Sequence, residues 1–228
     1  MNPVRGALSA AMPLWTACLH TPFVQELANG TLPMRAFRSY LLQDSLYLQT
    51  YARVWGAAIF LSPTQQEMRL HYAVLRFVTQ RHSAVRLRWL DRFGVTGAQV
   101  ARLTPWPVFR AYGNFLMDTA RKGNLPCLMM AALPCMLGYA YVFGKVASSP
   151  AALRSPYRDY ILDHTEPGYL EDCRRLYAYT ASLCAACAPE RRRGLNALFL
   201  TASAYELQCW RRASRGIAIK ERKEENNP

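Results

Sequence analysis

The chain reads as an all-α protein, a single-domain helical bundle, and three observations carry that reading. Apolar residues recur at i, i+3, i+4 and i+7 along nearly every segment. No stretch alternates with the period of a strand, and Gly, Pro and Ser leave only short connections between the periodic runs. With 228 residues, 51% of them hydrophobic, the chain can bury one sizeable core. No linker and no repeat of fixed period interrupts it, so residues 1–218 read as one domain and 219–228 as a charged, fraying tail.

The elements follow in order. Val4, Leu8, Met12, Trp15 and Cys18 recur at helical spacing over 3–19. That segment is uncharged after Arg5, loosely like a signal peptide, but it has no convincing cleavage site. A short helix at 22–29 stops at Gly30, a natural residue for a helix end. Pro33 suits the first turn of the next helix, which runs to about Phe60. Ser62-Pro63 caps another that reaches Phe93-Gly94, and Thr96 caps a short turn before the breaker Pro105-Trp106-Pro107. Helices are predicted at 107–121 and 125–147, a loop at Ser148-Ser149-Pro150, then helices at 156–164, 167–187 and 189–216. The uncharged run from Gly123 to Gly144 is long enough to cross a membrane. Its two prolines, Gly138 and two tyrosines, with no comparable second segment, make it the buried central helix of a soluble bundle, with no membrane partner.

Three polar residues break the apolar stripes. Asp44 falls among Phe37, Tyr40, Leu41, Leu48, Tyr51 and Trp55. Glu206 falls among Leu198, Phe199, Ala202, Cys209, Trp210 and Ala213, and Cys135 among Leu128, Ala131, Tyr139 and Val142. Burying an unpaired carboxylate costs several kcal/mol, so each acid is paired, protonated or in use. Neither stripe has an Arg or Lys one turn away. A salt bridge from another helix and a working pocket both fit. Pro134 removes a backbone donor beside the thiol and opens space there, although a buried helical cysteine is more often plain packing. Tyr112 lies on the stripe of Phe109 and Leu116, and Tyr47 lies beside Asp44.

Other chemistry lacks support. The net charge of +13 is scattered over several helices, with a local cluster at Arg81, Arg86, Arg88 and Arg92. No nucleic-acid-binding motif accompanies it, so nucleic acid is not an expected partner. Seven cysteines, mostly in helical patterns, suit reduced thiols in the cytoplasm. Cys184-x-x-Cys187 has no second pair, and the four histidines lack metal-ligand spacing, so no metal is expected. There is no GxGxxG, P-loop or GxSxG.

Five motifs in order resemble the TenA (thiaminase II) family. They are His20-Thr21-Pro22-Phe23-Val24-Gln25-Glu26-Leu27; Gly30-Thr31-Leu32-Pro33; Leu42-Gln43-Asp44-Ser45-Leu46-Tyr47-Leu48; Leu133-Pro134-Cys135 with Gly138-Tyr139; and Ser203-Ala204-Tyr205-Glu206 with Trp210. The resemblance implies a haem oxygenase-like fold without cofactor, a homotetramer, and an aminopyrimidine aminohydrolase of thiamin salvage. Its expected substrate is 4-amino-5-aminomethyl-2-methylpyrimidine, with thiamin a slower one. It implies Cys135 as nucleophile, Asp44 binding the pyrimidine's ring nitrogen and amino group, and Glu206 as acid and base. It also implies Tyr47, Tyr112, Tyr139 and Tyr205 in the substrate pocket. Tyr157-Arg-Asp-Tyr160-Ile161-Leu-Asp-His164 departs from the family pattern, placing His164 where a pocket tyrosine is usual, and Gln80-Arg81-His82 replaces acidic residues in the middle helix. His164 leaves a second reading open, a hydrolase for another amino-heterocycle. The charge leaves a third, a non-catalytic regulatory protein engaging nucleic acid.

Overall fold

The computed structural model describes residues 3–224, with the backbone alone for residues 80–83 and 216–224. The described residues form helices and turns without a strand. In order these are α1 (Pro3–Leu19), α2 (Pro22–Asn29), α3 (Met34–Leu61), α4 (Gln65–Arg76), a π-helical turn (Phe77–Arg81) and α5 (His82–Arg92). Then come α6 (Gly97–Ala101), α7 (Pro107–Arg121), α8 (Leu125–Ala147), α9 (Pro150–Arg154), α10 (Arg158–Asp163), α11 (Pro167–Ala185) and α12 (Pro189–Glu224).

Helix α8 is the axis of the bundle. It is apolar on all sides because α1, α3, α7, α11 and α12 pack around it. Its length and hydropathy would suit a membrane span, but 67% of its most apolar stretch is buried among these neighbours. Gly138 lets α1 approach closely: a Cβ there would sit 3.4 Å from Trp15 Nε1. At the end of α2, Gly30 adopts φ 76°, and its N–H turns back to the carbonyls of Glu26 and Leu27. A Cβ at Gly30 would also come within 3.0 Å of Pro156 Cδ.

Four sequence expectations need adjustment. The helix expected from Ser62 to Phe93 is two helices joined by the π turn, since nothing in its hydropathy marks an extra residue per turn. Its cap is Thr64, in a reciprocal capping box with Glu67. Ser62 instead donates to the Ala58 carbonyl at 2.8 Å and accepts from His71 Nδ1 at 2.8 Å. The expected loop at 148–150 opens α9, because Ser149 accepts the Ala151 N–H and Pro150 takes the first helical position. The helical backbone of α12 runs on to Glu224 through good helix formers, past the tail expected at 219. Residues 225–228, and the side chains of the tail and of Gln80-Arg81-His82, lie outside the described residues.

Candidate active site

Asp44 on α3, Cys135 on α8 and Glu206 on α12 are 4%, 8% and 5% exposed, and the three helices pack on one another. Between them lies a hollow with about 370 Å³ among its wall atoms, at the small end for ligand pockets. Its walls stand close. The space where a water can sit is about 30 Å³, room for about two waters. Asp44, Tyr47, Leu48 and Tyr51 line it from α3, Cys135, Met136 and Tyr139 from α8, and Phe77 and Val78 from the π turn. His164 and Tyr169 complete the wall.

Glu206 and Tyr112 do not border the hollow; they stand behind the sulfur. Burial pushes the Glu206 carboxyl from its ordinary value of 4.5 up to about 7, and the Tyr112 hydroxyl and Cys135 thiol beside it offset part of that rise. Burial, then the nearby Glu206 charge, hold the Cys135 thiol far above its ordinary range, while the Tyr47 hydroxyl works the other way. A neutral thiol therefore touches a carboxyl that titrates near neutrality. Glu206 Oε1 and the hydroxyls of Tyr47 and Tyr112 make no hydrogen bond of good geometry among the described residues. Groups left in that state cost stability and are typical of a ligand or proton-transfer site.

Asp44 has a cationic neighbour. Arg86 reaches in from α5, its Nη1 donating to Ser45 Oγ at 2.8 Å, and its charge is drawn to Asp44. Ser45 Oγ is fixed in turn by donating to the Leu41 carbonyl at 2.6 Å. The salt bridge that the sequence left open is thus compatible with the hollow, because Arg86 approaches from outside it.

Tyrosines frame the rest. The rings of Tyr51, Tyr47, Tyr112 and Tyr205 stack in series, with centroids 5.6, 5.0 and 5.2 Å apart. Tyr205 is the outermost, half-buried and away from the hollow. The Tyr139 hydroxyl meets that of Tyr40 at 2.7 Å, and Tyr40 meets Tyr160 at 3.1 Å. Tyr51 and Tyr169 donate to the carbonyls of Ala132 and Met136, on either side of Pro134. His164 is 1% exposed and stacks on Phe143 at 4.6 Å. Its Nδ1 lies 3.0 Å from the Tyr160 carbonyl, which can only accept, so Nδ1 carries the proton.

Of the residues singled out in the sequence, Asp44, Tyr47, Cys135, Tyr139 and His164 border one hollow. Glu206 and Tyr112 reach it through Cys135, and Tyr205 only backs Tyr112. Sequence reasoning missed Arg86, Tyr51, Tyr169, Phe77 and Val78. Tyr51 was on the Asp44 stripe and could have been found; the others come from elements whose packing no local pattern reveals. Among the described residues, no group of three or more His, Cys, Asp or Glu is placed to hold a metal ion.

Known proteins resemble the whole chain. The aminopyrimidine aminohydrolase of Halalkalibacterium halodurans is 27% identical over 205 residues, 88% of this chain and 90% of its own length. The aminopyrimidine aminohydrolase of Bacillus subtilis is 26% identical over 210 residues, 91% of this chain and 87% of its own. The TenA homologue from P. horikoshii OT3 superposes with a TM-score of 0.85 at 25% identity, covering 95% of this chain and all of that one. The sequence profile of one family matches residues 8–216, nearly end to end, and the chain belongs to that family, TENA/THI-4/PQQC.

Proposed function

We propose that the chain is an aminopyrimidine aminohydrolase of thiamin salvage. Water replaces the exocyclic amine of 4-amino-5-aminomethyl-2-methylpyrimidine, giving the hydroxymethyl compound and ammonia. The observation that supports this most is the meeting of a thiol, two carboxyls and stacked tyrosines at one closed, ring-sized hollow. Relatives named aminopyrimidine aminohydrolase over most of their length support it further.

Asp44 faces the amidine-like edge of the ring, where a carboxylate accepts paired N–H bonds, and the Arg86 charge behind it favours that negative charge. Tyr47 and Tyr139 flank the ring. Glu206, ionised above about pH 7, takes the Cys135 proton as the sulfur adds to a ring carbon. Dearomatised, the ring pushes out the amine from the side methylene, and the proton held by Glu206 goes to the departing nitrogen. Water then adds at the methylene and returns a proton to Glu206, and the sulfur leaves to restore the ring. Tyr112 and Tyr205 act as backing that fixes Tyr47 and Glu206. Seven free thiols suit a reducing cytoplasm, and we assign the enzyme there as a homotetramer. The test is ammonia release from this aminopyrimidine. Cys135→Ala, folded as judged by circular dichroism, should lose at least about a thousandfold in kcat; retention of more than a tenth of wild-type rate would overturn the nucleophile assignment.

A further inference from the structure

We propose that a groove outside the hollow is a second substrate site, one that receives a leaving group carrying a phosphate. This inference rests on the hydrolase reading above. The groove, about 430 Å³ in volume, lies along α3 against the π turn and α5. Leu48 and Val78 line both the hollow and the groove, so the partition between them is one side chain thick. The hollow holds a single ring and little more, and a substrate with a larger leaving group has to extend beyond it. Val78 belongs to the π turn, the least regular stretch of the surrounding helices, where a side chain can shift most cheaply.

The groove's chemistry selects what lies in it. Arg53, Arg86, Ser45, Thr79 and Gln49 supply its polar lining, which includes no Asp or Glu. Arg53 is exposed and spends one of its donors on the Gln49 carbonyl at 3.0 Å, leaving most of its planar fork for an anion. From Ser45 to Arg53 is eight residues of helix, roughly 12 Å at 1.5 Å per residue. That is about the reach of a five-membered ring with a phosphorylated two-carbon arm, measured from a pyrimidine seated on Asp44. The substrate class is therefore an aminopyrimidine joined through its methylene to a phosphate-bearing thiazolium. The methylene–nitrogen bond breaks with its electron pair going to the thiazolium nitrogen, which leaves as neutral thiazole. Water supplies the hydroxyl, and one proton is released. The net charge of +13 then gains a use, since a positive field speeds the approach of an anionic substrate.

The experiment compares kcat/KM for thiamin monophosphate, thiamin and the aminopyrimidine at low and high salt, in wild type, Arg53→Ala and Arg53→Glu. The expected wild-type preference for phosphorylated over plain thiamin is about tenfold, shrinking as salt rises. Arg53→Ala should cut that ratio about fivefold through KM, and Arg53→Glu should bring it to or below one. A wild-type ratio near one, with the aminopyrimidine still hydrolysed, overturns the groove and leaves the hydrolase reading standing. A ratio unmoved by either variant, with a changed sedimentation coefficient in Arg53→Glu, makes the groove a contact between copies and also overturns the proposal. No turnover of any of the three removes the hydrolase reading and this inference together.

Discussion

Replacing Glu206 by Gln should stabilise the protein while abolishing its chemistry, and the gain should appear only as pH rises. The Glu206 carboxyl is 5% exposed, and burial lifts it to about 7 from an ordinary 4.5. The sign follows from proton counting. Between these two values the folded chain holds a proton that the unfolded chain has released, so stability falls as pH climbs from about 4.5 to 7 and then levels. At 1.36 kcal/mol per pKa unit, the full cost of the buried charge above pH 7 is about 3 kcal/mol. An amide of the same shape never carries it. The stability difference between Glu206→Gln and wild type should therefore grow by about 2.5 kcal/mol from pH 5 to pH 8. For a chain of this length that is roughly 5 °C in Tm. Urea unfolding at both pH values reads it directly. A difference that stays level with pH would show that Glu206 is not a neutral, desolvated acid in the folded state, and the proton path through Cys135 would lose its basis.

Three further outcomes are expected. kcat/KM for the aminopyrimidine should rise through about pH 7 as Glu206 ionises; a profile flat across pH 6–8 contradicts Glu206 as proton acceptor. His71 is buried, and burial lowers its pKa from 6.5 to about 4. Its folded form resists protonation, so it contributes stability above about pH 6.5 that is lost as pH falls toward 4, worth about 2 kcal/mol after allowing for partial solvation. His71→Asn should flatten that acid limb in urea titrations, and an unchanged limb refutes the assignment. His164→Tyr should shift relative rates among aminopyrimidines and thiamin at least threefold and alter the pH profile, since it replaces a titratable ring in the wall; unchanged ratios and profile exclude a role for His164 in selection.

Much of the site was legible because it violates a rule. Asp44, Cys135 and Glu206 stand on stripes that burial requires to be apolar, and a polar group in such a place advertises itself in one dimension. What one dimension cannot carry is which helix faces which. Arg86 sits in an arginine-rich stretch whose other described arginines, Arg88 and Arg92, are exposed, so only the docking of α5 on α3 distinguishes it. The chain of hydroxyls from Tyr139 through Tyr40 to Tyr160 joins three helices more than ninety residues apart in part, and no local pattern predicts it. The backing position of Glu206 was hidden for the same reason: a stripe gives a direction, not a depth. Helix ends were legible where the cap is chemical, as at Gly30 and Thr96, and not where two candidates compete. Ser62 and Thr64 are both good caps, and His71 decides between them by occupying Ser62.

The π turn has an evolutionary side. A π turn behaves as an α-helix with one residue inserted, and each residue of α-helix turns the chain by about 100°. Deleting one residue between Phe77 and Arg81 would restore regular winding and rotate all of α5 by that angle. Arg86 would then swing off Ser45 and Asp44, and Trp89 off its bond to Asp159. This segment should therefore accept substitutions far more readily than changes in length, and a relative that is one residue shorter here must hold its counterpart of Asp44 by some other means.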